Sequence, residues 1–143
     1  MKIRKLAAID IGSNAIRLLI NYIYEQPDKD PVFNKTSLVR MPIRLGHDVF
    51  TESEISQENI DRMIDAMKSY ALMMKVYGIE DYKACATSAM REAKNGKKIL
   101  RTIEKKTGIC VEIIDGKTEA EMLFSAGLNQ FLPVSYTHLR AHE

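Results

Sequence analysis

Ala7-Ala8-Ile9-Asp10-Ile11-Gly12-Ser13-Asn14-Ala15-Ile16-Arg17-Leu18-Leu19-Ile20 sets two apolar runs on either side of a short polar turn, with an acid near the end of the first run. Branched residues such as Ile9, Ile11 and Ile16 favour extended backbone. Gly12-Ser13-Asn14 is turn chemistry, because glycine and asparagine tolerate backbone angles that other residues resist. A tight turn with free amides can close around phosphate oxygens. A carboxylate beside it suits Mg²⁺ or a positioned water, since hard cations take oxygen ligands. Two readings follow: a phosphate grip with Asp10 at its lip, or an ordinary hairpin with a partly exposed Asp.

Working outward, residues 5–11 and 15–24 are predicted strands and residues 25–31 a proline-bearing loop. Residues 32–41 give a third strand, with fair alternation at Phe33, Thr36, Leu38 and Arg40, and residues 44–48 read as another loop. A long helix is predicted from an N-cap at Ser56, through Ile60, Met63, Ile64, Met67, Ala71 and Met74, to a stop at Gly78. Its methionines read as core filler rather than ligands. Residues 82–87 form a fourth strand, and a helix capped by Asn95 runs through Ile99, Leu100 and Ile103 to Gly108. Residues 110–114 supply a fifth strand and residues 117–128 a last helix. The order β-β-β-α-β-α-β-α is that of an α/β fold with a mixed five-stranded sheet. It is the ribonuclease H-like arrangement found in lobes of the actin-like ATPase superfamily, and alone it says little about chemistry.

Composition narrows the function. The 143 residues are 45% hydrophobic, enough for one domain with a real core, and the net charge of +2 does not call for nucleic acid or a membrane surface. No apolar run spans a bilayer and no signal-peptide core follows Met1, so a cytoplasmic location is expected. Cys85 and Cys110 lie in apolar strand-like runs and read as buried, reduced thiols. His47 reads as a surface loop residue.

Two later segments also sit where strands end. In Ala86-Thr87-Ser88-Ala89-Met90-Arg91-Glu92, small hydroxyl residues precede an arginine whose fork of donors suits phosphate; the plain alternative is a surface Arg. In Ile113-Ile114-Asp115-Gly116-Lys117-Thr118-Glu119-Ala120-Glu121 a turn opens a helix. Thr118 and Glu121 fit a capping box. Glu119 is then left as a candidate general base, or simply as a partner of the helix dipole.

AAIDIGSNAIRLLI, CATSAMREAKN and EIIDGKTEAEMLFSAG, with RLGHDVF and ISQENIDRMIDAM between them, resemble in order and spacing the N-terminal lobe of the exopolyphosphatase and guanosine pentaphosphate phosphohydrolase (Ppx/GppA) family. The resemblance covers residues 5–130. It implies a two-lobed, Mg²⁺-using enzyme that removes terminal phosphate from polyphosphate or pppGpp. It gives Gly12, Ser13, Asn14 and Arg91 to phosphate binding. It further implies that Asp10 holds the metal through water and that Glu119 is the base acting on the attacking water. Many relatives carry Arg two positions after that glutamate, where this chain has Glu121.

The resemblance also implies a second lobe with a further glycine-rich loop, absent from this chain, so low activity is expected of the fragment, and it admits a homodimer of the full-length protein. Residues 131–143 leave the family pattern and read as a non-native tail, in which His138 and His142 make no metal motif. Two other functions fit the same residues: a sugar or acid kinase lobe in which Glu119 has no role, and a non-catalytic nucleotide or alarmone-binding module.

Overall fold

The computed structural model describes residues 1–114. Strands β1 (Lys2–Ile11), β2 (Ile16–Glu25), β3 (Val32–Met41), β4 (Asp81–Ala86) and β5 (Glu112–Ile113) form one sheet in the order β3-β2-β1-β4-β5. β1 is central, antiparallel to β2 and parallel to β4, while β3 and β5 extend the sheet on either side. The helices are α1 (Leu45–Glu52), α2 (Gln57–Tyr77), α3 (Ser88–Glu92) and α4 (Gly96–Thr107). This is the mixed sheet with crossover helices that the element order implies. Among the described residues, no helix is long and apolar enough to cross a membrane.

Strand alternation sorts the sheet into two faces. Ala7, Ile9 and Ile11 of β1 and Ile16, Leu18 and Ile20 of β2 pack into one core with Met63, Met67 and Tyr70 of α2 and Ile99, Leu100 and Ile103 of α4. Burying each large apolar side chain contributes roughly 1.5–3 kcal/mol, so packing of its stripe outweighs anything α2 gains from propensity. The other face carries Ala8 and Asp10 against Leu19 and Arg17. Residues 6–11 of β1 are thus buried on both faces, which is why the run is almost wholly apolar.

The helix signals hold where they are local. Ser56 Oγ accepts from Asn59 N at 3.2 Å and caps α2. Gly78 and Gly108 end α2 and α4 with φ of +71° and +79°, in the left-handed region that glycine enters without strain. Asp48 steadies the approach to α2: its Oδ2 accepts from Ser56 N, Ser56 Oγ and Asn59 Nδ2 at 2.8–3.0 Å.

Four expectations need correction. Residues 44–48 are not a loop: Leu45, fully buried, anchors α1, a helix whose start has no side-chain cap to announce it. His47 is on that helix, though exposed as expected. Asn95 precedes α4 without a side-chain cap bond; its amide instead pairs with Ile55, accepting from Ile55 N at 3.0 Å and donating to Ile55 O at 2.9 Å. Cys110 is exposed, because β5 begins only at Glu112. A short α3 also lies between β4 and α4, its five residues too few to show a helical period. The helix expected at residues 117–128 and the 131–143 segment lie outside the described residues.

Candidate active site

The β1–β2 ladder closes at Ile11 opposite Ile16, leaving residues 12–15 as the connecting loop. Gly12 N donates to Ala15 O at 2.9 Å, so this amide serves the turn rather than a ligand. Neither Gly12 nor Asn14 has positive φ, so the turn does not draw on the backbone freedom expected of those residue types. Clearance is the need at Gly12: a Cβ there would stand 3.3 Å from Ala15 O and 3.8 Å from Asp10 Oδ2. The amides of Ser13 and Asn14 donate to no described residue.

Hydrogen bonds from several elements brace this loop. At one shoulder, Ile11 O accepts from Thr87 N at 3.2 Å. At the other, Ile16 O accepts from the buried hydroxyl of Tyr70 at 2.6 Å. At the apex, Gly46 N of α1 donates to Ser13 O at 2.8 Å, and Ser13 Oγ lies 3.4 Å from Ser88 Oγ of α3. A Cβ on Gly46 would come within 3.1 Å of Ser13 Cβ, so the glycine lets α1 reach the loop.

Asp10 is 4% exposed, which removes the reading of a partly exposed hairpin acid. Its Oδ2 accepts from Arg17 Nε at 3.1 Å and from Arg17 Nη2. Arg17 in turn stands opposite Arg40 in the β2–β3 register. Asp10, residues 12–15, Arg17 and Arg40 line a cleft of about 200 Å³. A larger hollow of about 550 Å³, bounded by Met1, Lys2, Glu25 and Lys29, sits at the opposite end of β1 and holds none of these groups. Arg17 and Arg40 escaped the sequence reading. Counting the hairpin register outward from residues 12–15 would have set Arg17 opposite Asp10.

Arg91 lies on α3, one turn beyond Ser88, and donates from Nη1 to Ile114 O at 3.2 Å. That carbonyl ends the β5 region, and Ile114 N donates to Ala86 O, so Arg91 sits at the same end of the sheet as Asp10. It is exposed and does not line the cleft. Glu119 lies outside the described residues. Cys85 neighbours Asp10 across the parallel ladder. Burial, reinforced by the Asp10 carboxylate, pushes its thiol up to about 12, with Arg17 opposing, so it is no nucleophile at neutral pH.

The described residues contain no cluster of three His, Cys, Asp or Glu able to cage a metal. They do place one carboxylate, Asp10, beside a candidate phosphate cleft. That donor set fits Mg²⁺, which is commonly held by one or two carboxylates together with substrate phosphates.

The chain matches the family model "Ppx/GppA phosphatase family" over residues 29–136. Exopolyphosphatase 1 of Mycobacterium tuberculosis is 26% identical over 122 residues, covering 85% of this chain and 34% of the relative. The bifunctional 3-dehydroquinate synthase/phosphatase of Fusobacterium nucleatum is 31% identical over 128 residues, 87% of this chain and 19% of that protein. The crystal structure of the Aquifex aeolicus member of the Ppx/GppA family superposes with a TM-score of 0.74 at 30% identity, over 82% of this chain and 37% of that one. The fold is therefore the actin-like ATPase fold of that family, and this chain spans about a third of the length of the exopolyphosphatases it matches. With the family model covering most of its length, the chain belongs to the Ppx/GppA phosphatase family.

Proposed function

We propose that this chain carries part of the active site of a phosphoanhydride hydrolase that releases terminal phosphate from inorganic polyphosphate or guanosine pentaphosphate. The observation that carries the reading is the placement of Arg17 directly opposite Arg40, beside the 12–15 loop. Like charges facing each other across strands are destabilising. Asp10 binds one of the two guanidinium groups. An oligophosphate laid in the cleft offsets the other and takes hydrogen bonds from the Ser13 and Asn14 amides.

In this reading Gly12 gives the phosphates room and Arg91 holds the chain farther along the rim. Asp10 holds Mg²⁺ through water; when bound, the ion supplies charge neutralisation at the phosphates. Glu119 is assigned as general base from the family resemblance, and its task is to orient and deprotonate the attacking water. Positioning and electrostatics account for most of the catalysis such a reaction needs. The relatives named exopolyphosphatase support this reaction class. Their greater length supports placing the remaining phosphate contacts, and the choice between polyphosphate and pppGpp, on sequence that this chain does not include.

Two measurements test the reading. Calorimetric titration of this chain with inorganic tripolyphosphate should show binding, weakened at least ~10-fold in Arg40→Ala, the scale of one lost charge-assisted bond. A full-length version should release phosphate from polyphosphate or pppGpp, with turnover reduced at least ~10²-fold in Glu119→Gln. No tripolyphosphate binding with Arg40 intact, or unchanged turnover without the carboxylate, would overturn it.

A further inference from the structure

Tyr70 is fully buried in the middle of α2, on the face of the sheet opposite Arg17 and Arg40. Its hydroxyl donates to Ile16 O at 2.6 Å, and Val39 O lies 3.5 Å away. Those carbonyls belong to the residues immediately before Arg17 and Arg40. Burial pushes the phenol up to about 12, against a lesser effect from the Met41 backbone, so the group remains a donor at any working pH. A ring alone would fill the same core volume. What the oxygen adds is a tie from the rigid helix to the place where β2 starts and β3 ends.

We infer that Tyr70 is a positioning residue for the phosphate cleft: from behind the sheet, its hydroxyl fixes the strand ends that set where Arg17 and Arg40 stand. The inference rests on the phosphate-binding reading of that cleft. Arg17 is further held by Asp10, whereas Arg40 stands on an edge strand of the described sheet, placed by its pairing with β2 alone. Arg40, the guanidinium that Asp10 does not bind, is therefore the one through which the tie reaches the ligand, while Arg17, next to the 2.6 Å bond, reports the tie.

The test pairs Tyr70→Phe, which keeps the ring, with Arg40→Ala in a double-mutant cycle on this chain. Tripolyphosphate binding is read by calorimetry, and water exchange of the Arg17 Nε–H by NMR. Tyr70→Phe should weaken binding ~3–10-fold, the range of one neutral hydrogen bond. Added to Arg40→Ala, it should cost less than about twofold more, since the residue it acts through is gone. Arg17 Nε–H exchange should quicken, and α2 amide protection should be kept.

Binding unchanged in Tyr70→Phe, or an equal loss with and without Arg40, overturns the inference. If wild type binds no tripolyphosphate, the phosphate reading fails for this chain. The exchange rate then decides the positioning role separately: faster in Tyr70→Phe supports it and unchanged refutes it. Should Tyr70→Phe not fold, 3-fluorotyrosine at position 70 keeps the ring and strengthens the donor. Slower Arg17 Nε–H exchange then supports the inference, and an unaltered rate refutes it.

Discussion

Arg17 and Asp10 face each other across the β1–β2 ladder, and the guanidinium donates from Nε and Nη2 to one carboxylate oxygen, Oδ2. The two ends of this pair differ in their access to water. Asp10 is 4% exposed, whereas the Arg17 side chain is 29% exposed.

That asymmetry predicts unequal costs of mutation. Arg17→Ala strips a principal countercharge from a buried carboxylate and should lower unfolding free energy by about 2–3 kcal/mol. Asp10→Asn leaves a guanidinium that water can reach, and should cost about half as much. Urea midpoints of the two variants check the order. Equal losses would mean that the pair is not the main support of Asp10.

Asn95 tells bridging from capping. Its amide makes two bonds to Ile55, one as acceptor and one as donor. Asn95→Ala should therefore cost about 1–3 kcal/mol. Asn95→Ser, a good N-cap but too short to bridge, should cost as much. Rescue by serine in thermal melts would restore the capping role that the sequence implied.

The two thiols should separate cleanly. Cys110 is exposed, while Cys85 is partly buried with its thiol pushed up to about 12. At pH 8 Cys85 should react with an aromatic disulfide reagent at least ~10²-fold more slowly than Cys110, in proportion to its scarce thiolate. Cys110→Ser should abolish the fast phase, and unfolding should release the slow one. A fast phase surviving in Cys110→Ser would show that Cys85 is open and ionisable.

Asp48 should make stability depend on pH in the acid range. Burial on its own would raise its carboxyl, but the bonds from Ser56 N–H, the Asn59 amide and the Ser56 hydroxyl, with His47 nearby, hold it below its ordinary 3.8. A depressed folded value means stabilisation that is complete above the unfolded value and lost as pH falls through the folded one. Asp48→Asn should therefore be less stable than wild type at pH 7, and the gap should narrow below about pH 4. Denaturation midpoints from pH 7 to 2.5 measure it, and a gap that widens on acidification would reverse the sign.

Legibility followed the length and locality of the signals. Pro31 and Pro42 bracket β3 at Val32 and Met41, and Ser56 and Gly78 bracket α2. α1 was missed because Leu45 and its packing, not a cap, start it. Arg17 was missed because an arginine inside an apolar run looks like an edge residue until the register is counted. Gly46 and Tyr70 carry no local sign at all: one is a glycine for lack of space beside Ser13, the other a core aromatic whose oxygen matters only once the sheet is assembled.

β1 lies third of five in the described sheet, with a neighbour on each edge and, over residues 6–11, cover above and below. Its amides should be among the slowest to exchange with heavy water, opening only when the whole molecule does. Asp10 hangs from that strand. Losing its placement by breathing of the chain would demand nearly the full free energy of denaturation, so the carboxylate keeps its station while shorter-lived openings run through the outer strands.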